Sequence, residues 1–347
     1  MGVNLDMSIF SYESITGNSE PKIEIDESDA EFLNERTILI TGAGGSIGST
    51  IATLLSRIKG VKILAFDRDE NALHSLSLSI SNTALFTESR FILGDVRDPI
   101  SLDNVYKSNK VDVVIHCAAL KHLAVLEKYP REAALTNILG TSNVIDRALH
   151  HEVPYLLNVS TDKAASPVSI LGKSKRVAEL LLIKKRNELD LNFTNVRFGN
   201  VFNSRGSVIE TFIHQIRHGL PVTLTNPDVS RYFMHIEEAA ALTIKSMVLN
   251  QGGIHVLEMG EPVKIIDIIN RIKAFYNSQS EIVITGLREG EKLHEDLLSS
   301  REIRAKTLDS KIDVISSDNP GLEPPSLDEL LTDQLVLLYF KNIQQYL

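Results

Sequence analysis

From residue 37 onward, short apolar runs alternate with stretches of helical period. Thr37 to Thr41 is an apolar, β-branched run that reads as a buried strand, and Ile47, Ile51, Leu54, Leu55 and Ile58 then recur at helical spacing. The rhythm continues with a strand over 61–66 and a helix through Leu73, then strands over 90–93 and 111–117. A helix over 131–150, a strand over 155–160 and a helix beginning near Leu171, with Val177, Leu180 and Leu181 on its apolar face, complete the series. Such alternation predicts an α/β fold: a doubly wound parallel sheet with helices on both faces and ligands at the carboxyl ends of its strands. Beyond it the pattern thins to a strand at 197–201, a helix at 208–218 and a short strand at 221–225, which suggests a smaller α/β substrate-binding lobe.

The expected organisation is an arm or linker at 1–36, a dinucleotide-binding domain at 37–200, and a lobe at 201–317 with some chain returning to the sheet. A linker and helix at 318–347 close the chain. Pro320 to Pro325 marks that linker, and the helix 327–347 carries Leu330, Leu331, Leu335, Leu338 and Tyr339, enough to dock on the body or on another subunit.

The chemistry begins at Gly42-Ala43-Gly44-Gly45-Ser46-Ile47-Gly48, between the first strand and the first helix. Free backbone N–H groups at a helix N-terminus, with no Cβ in the way, can hold a pyrophosphate. A glycine-rich turn can equally join any strand to any helix, so context decides. Asp67 ends the second strand, where an acid takes a ribose hydroxyl pair and favours NAD; Arg68 beside it suits a 2′-phosphate and leaves NADP open. Asp95 and Val96 follow the third strand, placed to meet adenine or simply to make a turn. Ala118 and Ala119 follow the fourth strand and let a dinucleotide pass closely, or serve tight packing; Lys121 and His122 point to the same edge, toward substrate. Asp162 and Lys163, side by side after the fifth strand, suit proton traffic, and Lys175 would reach a nicotinamide ribose from the next helix. Each charged residue taken singly also fits a solvated face.

With 347 residues, 43% hydrophobic and 23% charged, this is an ordinary globular composition. A net charge of −9 argues against general nucleic-acid or anionic-membrane binding, while local arginines can still hold an anionic ligand. The single Cys117 excludes an internal disulfide framework and a cysteine-rich metal site, and no metal is expected. No apolar run is long enough to span a bilayer, and a cytoplasmic protein is expected.

These residues resemble the extended short-chain dehydrogenase/reductase superfamily, and within it the bacterial polysaccharide-biosynthesis UDP-N-acetylglucosamine 4,6-dehydratases. The motifs are the glycine turn 41–48, Ala118-Ala119-Leu120-Lys121-His122, Ser160-Thr161-Asp162-Lys163-Ala164, Arg197-Phe198-Gly199-Asn200-Val201, Ser204-Arg205-Gly206-Ser207-Val208, Arg231-Tyr232-Phe233-Met234 and Arg288-Glu289-Gly290-Glu291-Lys292-Leu293. Residues 15–26 are similar to the connector that precedes this domain in the family's membrane-anchored members, so the chain is expected to carry the catalytic domain without the anchor. The resemblance implies a Rossmann-type fold, a tightly bound and recycled NAD or NADP, a UDP-sugar substrate and C4 oxidation followed by loss of water across C5 and C6. Lys163 is the implied C5 base, Asp162 the acid at C6, and Thr161 a donor to the C4 oxygen; an ordinary Asp162–Lys163 ion pair would spoil both proton roles. Asn200, Ser204 and Arg205 line the substrate loop, Arg231 and Arg288 meet the diphosphate and Glu291 the uridine ribose. A homo-oligomer is expected.

The superfamily pattern Tyr-x-x-x-Lys departs here: Leu171 stands where the tyrosine is expected and Lys175 remains. The anchored branch of the family also has an apolar residue there, and tends to retain configuration at C5. A 4-epimerase or ketoreductase is the alternative enzyme, and a non-catalytic dinucleotide-binding sensor the alternative of another class.

Overall fold

The computed structural model describes residues 10–22, 25–82, 90–189, 192–316, 325–326 and 328–344. Its strands are β1 (Thr37–Thr41), β2 (Lys62–Asp67), β3 (Phe91–Leu93), β4 (Val113–His116), β5 (Tyr155–Val159), β6 (Asn192–Arg197), β7 (Asn200–Phe202), β8 (Val222–Leu224), β9 (Ser230–Arg231), β10 (Phe233–His235), β11 (Gly253–Leu257), β12 (Val263–Lys264), β13 (Ile282–Ile284), β14 (Ile303–Lys306) and β15 (Ile312–Ser316). Nine of them form one sheet in the order β14-β15-β11-β6-β5-β4-β1-β2-β3. From β3 to β11 every pairing is parallel, and β15 and β14 close that edge antiparallel. The expected doubly wound sheet is therefore present.

Side chains alternate across the sheet, as the two-residue period of a strand demands. Leu39, Leu64, Val114 and Leu156 enter one buried cluster with the helices Gly140–His150 and Ile170–Leu189. Ile38, Ile40, Ile63 and Ile115 enter the other, with the helices Ser46–Leu55 and Ile236–Val248. Strands buried on both faces explain the continuous apolar runs in the sequence.

The sixth strand corrects the reading of 197–201. Asn192–Arg197 is the sheet strand, and β7, three residues on, pairs with β10 outside the sheet. Asn192 and Asn195 disguise β6, but Asn195 is buried and accepts a hydrogen bond from Asn158 on β5, so its polarity is satisfied inside the sheet. The lobe consists of two excursions from the sheet, over 198–235 and 258–302, with the helix Ile236–Val248 and β11 between them. Its own core joins the helices Val208–Arg217 and Ile265–Phe275 through Phe212, Ile213, Ile268 and Ile269.

The N-terminal segment packs on the body. Phe10, Tyr12 and Ile15 are buried in the lobe core, and Tyr12 Oη donates to the Phe233 carbonyl at 2.6 Å. Further along, Asp26 and Asp29 pair with Lys245 at 2.8 and 3.0 Å. Residues 1–9 and most of the expected 320–325 linker lie outside the described residues. The expected final helix is found at Asp333–Asn342; Val336, Tyr339 and Phe340 bury it against the body, while Leu335 and Leu338 are exposed. No helix among the described residues is long and apolar enough to cross a membrane.

Candidate functional site

Two groups of side chains meet along the carboxyl ends of β1, β2, β4 and β5. The first surrounds a cavity of about 230 Å³ lined by the glycine turn, Asp67, Arg68, Asp95, Val96 and the 117–119 segment. Gly42 has a φ of 67°, and a Cβ there would lie 2.6 Å from the Ala118 backbone; at Gly48 it would lie 2.3 Å from the Gly42 carbonyl oxygen. The glycines therefore let β1, β4 and the helix that opens at Ser46 come together, with Ile47 and Gly48 in its first turn. Asp67 accepts from the Gly44 and Asp69 N–H groups at 2.8 and 2.9 Å, which fixes its carboxylate at the rim. Backbone donors at a helix start, a carboxylate at the end of β2 and the small Ala118 and Ala119 form a donor set that fits a dinucleotide.

Two residues lining this cavity, Asp95 and Arg205, are held by contacts within the protein. The Asp95 carboxylate is held by Arg97, whose Nε and Nη2 donate at 2.9 and 2.6 Å. Burial raises the Asp95 proton affinity and the Arg97 hydrogen bonds more than offset it, so the carboxyl sits below its usual range. Arg205, grouped with substrate in the sequence, lies at the glycine turn: its guanidinium donates to the Gly44 carbonyl, and its backbone N–H donates to Ser46 Oγ at 3.0 Å. Ser204 beside it accepts from Lys121 Nζ at 3.4 Å, and a Cβ on Gly206 would come within 2.7 Å of the His122 ring. The 203–207 loop thus links the cavity to Lys121 and His122. Burial lowers the proton affinity of both.

The second group lies just beyond β5. Thr161 donates to Asp162 Oδ1 at 2.8 Å, and Lys163 Nζ lies 3.0 Å from the same oxygen and 3.5 Å from Asn200 Oδ1. Asp162 is fully buried and its Oδ2 has no partner among the described residues. That oxygen faces Gly199, where a Cβ would come within 3.0 Å of it. Lys175 Nζ donates to the Val159 carbonyl at 2.6 Å, and burial pushes its pKa down to about 8. Leu171, one turn earlier, is buried in the apolar core.

On the lobe side, Arg231 is buried and braced. Its Nη1 donates to the Ser230 and Leu293 carbonyls at 2.7 and 3.0 Å, and its Nη2 to the Lys292 carbonyl at 2.9 Å, with Glu291 at 3.5 Å. Glu291 also accepts from Thr225 Oγ1 and from the Arg288 backbone N–H, at 2.9 and 3.2 Å. Arg288 is exposed.

Three features escaped the sequence reading. Asn137 sits in a π-helical turn, Ala134–Leu139, and its amide holds the Leu120 backbone in both directions, at 2.8 and 3.1 Å, and Ser174 Oγ at 3.0 Å. A polar Thr-Asn pair inside an apolar helical run was its only signal. Glu295, buried, reaches Lys163 Nζ at 3.7 Å and Arg231 Nε at 4.0 Å. Glu179 accepts from Ser160 Oγ at 2.6 Å and from Arg197 at 2.7 and 2.6 Å, so the residue preceding Thr161 is tied to a buried charge cluster.

The chain is similar to several known proteins. The chain is 40% identical over 307 residues to the capsular polysaccharide biosynthesis protein CapD of Staphylococcus aureus, a match covering 86% of this chain and 51% of that protein. It therefore spans about half the length of that relative. It is 36% identical over 280 residues to a protein named UDP-glucose 4-epimerase in Rickettsia rickettsii, covering 78% and 79% of the two chains. The X-ray structure of Pen from Bacillus thuringiensis superposes with a TM-score of 0.74 at 30% identity, covering 83% of this chain and 91% of that one. A family model described as polysaccharide biosynthesis protein matches residues 38–317. The match takes in the glycine turn, the Asp162–Lys163 pair and both lobe excursions, and the chain belongs to this polysaccharide biosynthesis family of extended short-chain dehydrogenases/reductases.

Proposed function

We propose that the protein is a nucleotide-sugar 4,6-dehydratase that converts UDP-N-acetylglucosamine to a UDP-4-keto-6-deoxy sugar, with retention at C5. The observation that carries this reading is the Asp162–Lys163 pair, buried at the end of β5 with Asn200 beside it. The ion pair and the neutral amine–carboxylic acid pair contain the same protons and differ by one transfer across 3.0 Å. Loss of water when substrate fills the site favours the uncharged form. In that form the Lys163 amine takes the C5 proton, and the Asp162 carboxyl protonates the C6 hydroxyl, which leaves as water. As hydride reaches C6, the Lys163 ammonium, exchanged with solvent, returns a proton to C5 from the same face, and the proton that the C4 hydroxyl gives up to water during its oxidation restores the Asp162 carboxyl.

Bound in the glycine-turn cavity, NAD or NADP would supply the hydride acceptor for C4 and return that hydride at C6. Gly42, Gly44, Gly45, Asp67, Ala118, Ala119 and Arg205 would hold it, Lys175 would contact its ribose, and Thr161 would donate to the C4 oxygen. Asp67 favours NAD. Arg288 is the exposed guanidinium for the diphosphate, with Arg231 shaping its loop. The division into dinucleotide domain and substrate lobe, a cytoplasmic setting and a homo-oligomeric state belong to the same proposal.

Incubation with UDP-N-acetylglucosamine in deuterated water, without added nucleotide, tests it. The expected product is a 6-deoxy-4-keto sugar carrying deuterium at C5. The relative named UDP-glucose 4-epimerase supports a second reading, in which a C4 epimer forms instead; buried Leu171 provides no phenol for that chemistry. Recovery of unchanged sugar overturns both.

A further inference from the structure

Glu295 is unaccounted for by the proton cycle above. It belongs to the irregular 285–302 segment of the lobe, yet its carboxyl is buried against the end of β5. Among the described residues its charged contacts are Lys163 Nζ at 3.7 Å and Arg231 Nε at 4.0 Å. Lys163 therefore has carboxyls on two sides, Asp162 Oδ1 at 3.0 Å and Glu295, with the Asn200 amide oxygen at 3.5 Å as a third neighbour. Asp162 and Asn200 accept hydrogen bonds from the amine, and Glu295 adds a charge contact on the lobe side, whereas a neutral amine has only two N–H groups and a lone pair.

We propose that Glu295 is a positioning residue for Lys163: from the substrate lobe it fixes where the amine points and how tightly that amine keeps its proton. The inference rests on the dehydratase reading for its catalytic meaning, and on geometry alone for the contact. The groups facing the pair are Asp162 on the β5 side, Arg231 on β9, and Lys292 on the same segment as Glu295. Burial raises the proton affinity of Glu295, with Asp162 adding to that effect and Lys163, Arg231 and Lys292 opposing it. An ionised Glu295 this close attracts the ammonium form of Lys163 over the neutral amine. Removing its charge therefore lowers the Lys163 pKa.

The test is a pH titration of the full chain labelled with ¹³C,¹⁵N-lysine, following the Lys163 side-chain resonance assigned by its loss in Lys163→Arg, with no sugar present. In Glu295→Gln the Lys163 midpoint is expected to fall by about one to three pH units, the range for loss of an opposite charge at this separation. Glu295→Asp, which keeps the charge on a shorter stem and guards against a folding defect in the amide variant, is expected to show a smaller fall. With UDP-N-acetylglucosamine as substrate, the rising limb of the pH profile of kcat/KM is expected to move to lower pH by the same amount. An unmoved Lys163 midpoint in a folded variant overturns the inference. The outcomes separate: a parent that fails to dehydrate the sugar while the midpoint shifts refutes only the proposed function, and an active parent with an unmoved midpoint refutes only the role of Glu295.

Discussion

Arg197 and Glu179 are joined by two hydrogen bonds of 2.7 and 2.6 Å in a place where neither side chain touches solvent. Arg197 also donates twice to Glu302, each at 2.8 Å, and Arg176 bridges both carboxylates at 3.1 and 2.9 Å. Two guanidiniums and two carboxylates thus balance inside the fold and connect β6, the helix Ile170–Leu189 and the end of the second lobe excursion. Removing one member strands its partners in a low-dielectric setting. Glu179→Ala is expected to cost about 3–5 kcal/mol of stability, read from the urea unfolding midpoint. Glu302→Ala should fall in the same direction, and the double variant should cost less than the sum because both act on Arg197.

Arg205 reaches over the glycine turn to the Gly44 carbonyl. Arg205→Ala is expected to weaken retention of the dinucleotide by about tenfold, the size of one charge-assisted hydrogen bond. Nucleotide remaining after repeated buffer exchange measures it, and loss should exceed that of Arg205→Lys.

His116 lies between Thr41 Oγ1 at 2.6 Å and Thr141 Oγ1 at 3.0 Å, fully buried. Burial, with Lys175 nearby, pushes its pKa down to about 3 from an ordinary 6.5. Between those values the unfolded chain binds a proton that the folded one refuses, so stability is present above pH 6.5 and drains away as pH falls toward 3. His116→Gln should flatten that part of the curve; denaturant unfolding of both proteins across this range tests it.

Leu171→Tyr would restore the superfamily tyrosine in a position occupied here by packed apolar core. It is expected to destabilise the fold by about 1–3 kcal/mol through overpacking and a buried hydroxyl, and not to raise the rate of sugar turnover. A thermal melt and the deuterium assay give the two readings.

The sheet was legible because its signals are local: apolar runs, glycines at a strand-to-helix turn, and an acid at the end of the next strand. Asn192 and Asn195 hid β6, since only pairing with β5 and β11 makes those positions strand-like. The site divides the same way. Asp162 and Lys163 are sequence neighbours, and their contact could be anticipated. Glu295 meets Lys163 from 132 positions away, and Arg205 crosses 161 positions to the Gly44 carbonyl. No periodicity carries such long-range relations. Arg231 illustrates the same limit: its residue type suits phosphate, and only the fold shows that the backbone of 292–293 braces its Nη atoms.

The two excursions give the lobe four points of attachment to the body rather than one linker. The stretches at 203–207 and 285–302 bring Ser204 to Lys121 and Glu295 to Lys163, so on the proposed function they are the parts of the lobe that would meet the sugar. Redirecting the protein toward a different sugar would mean rewriting those two stretches while leaving the scaffold alone.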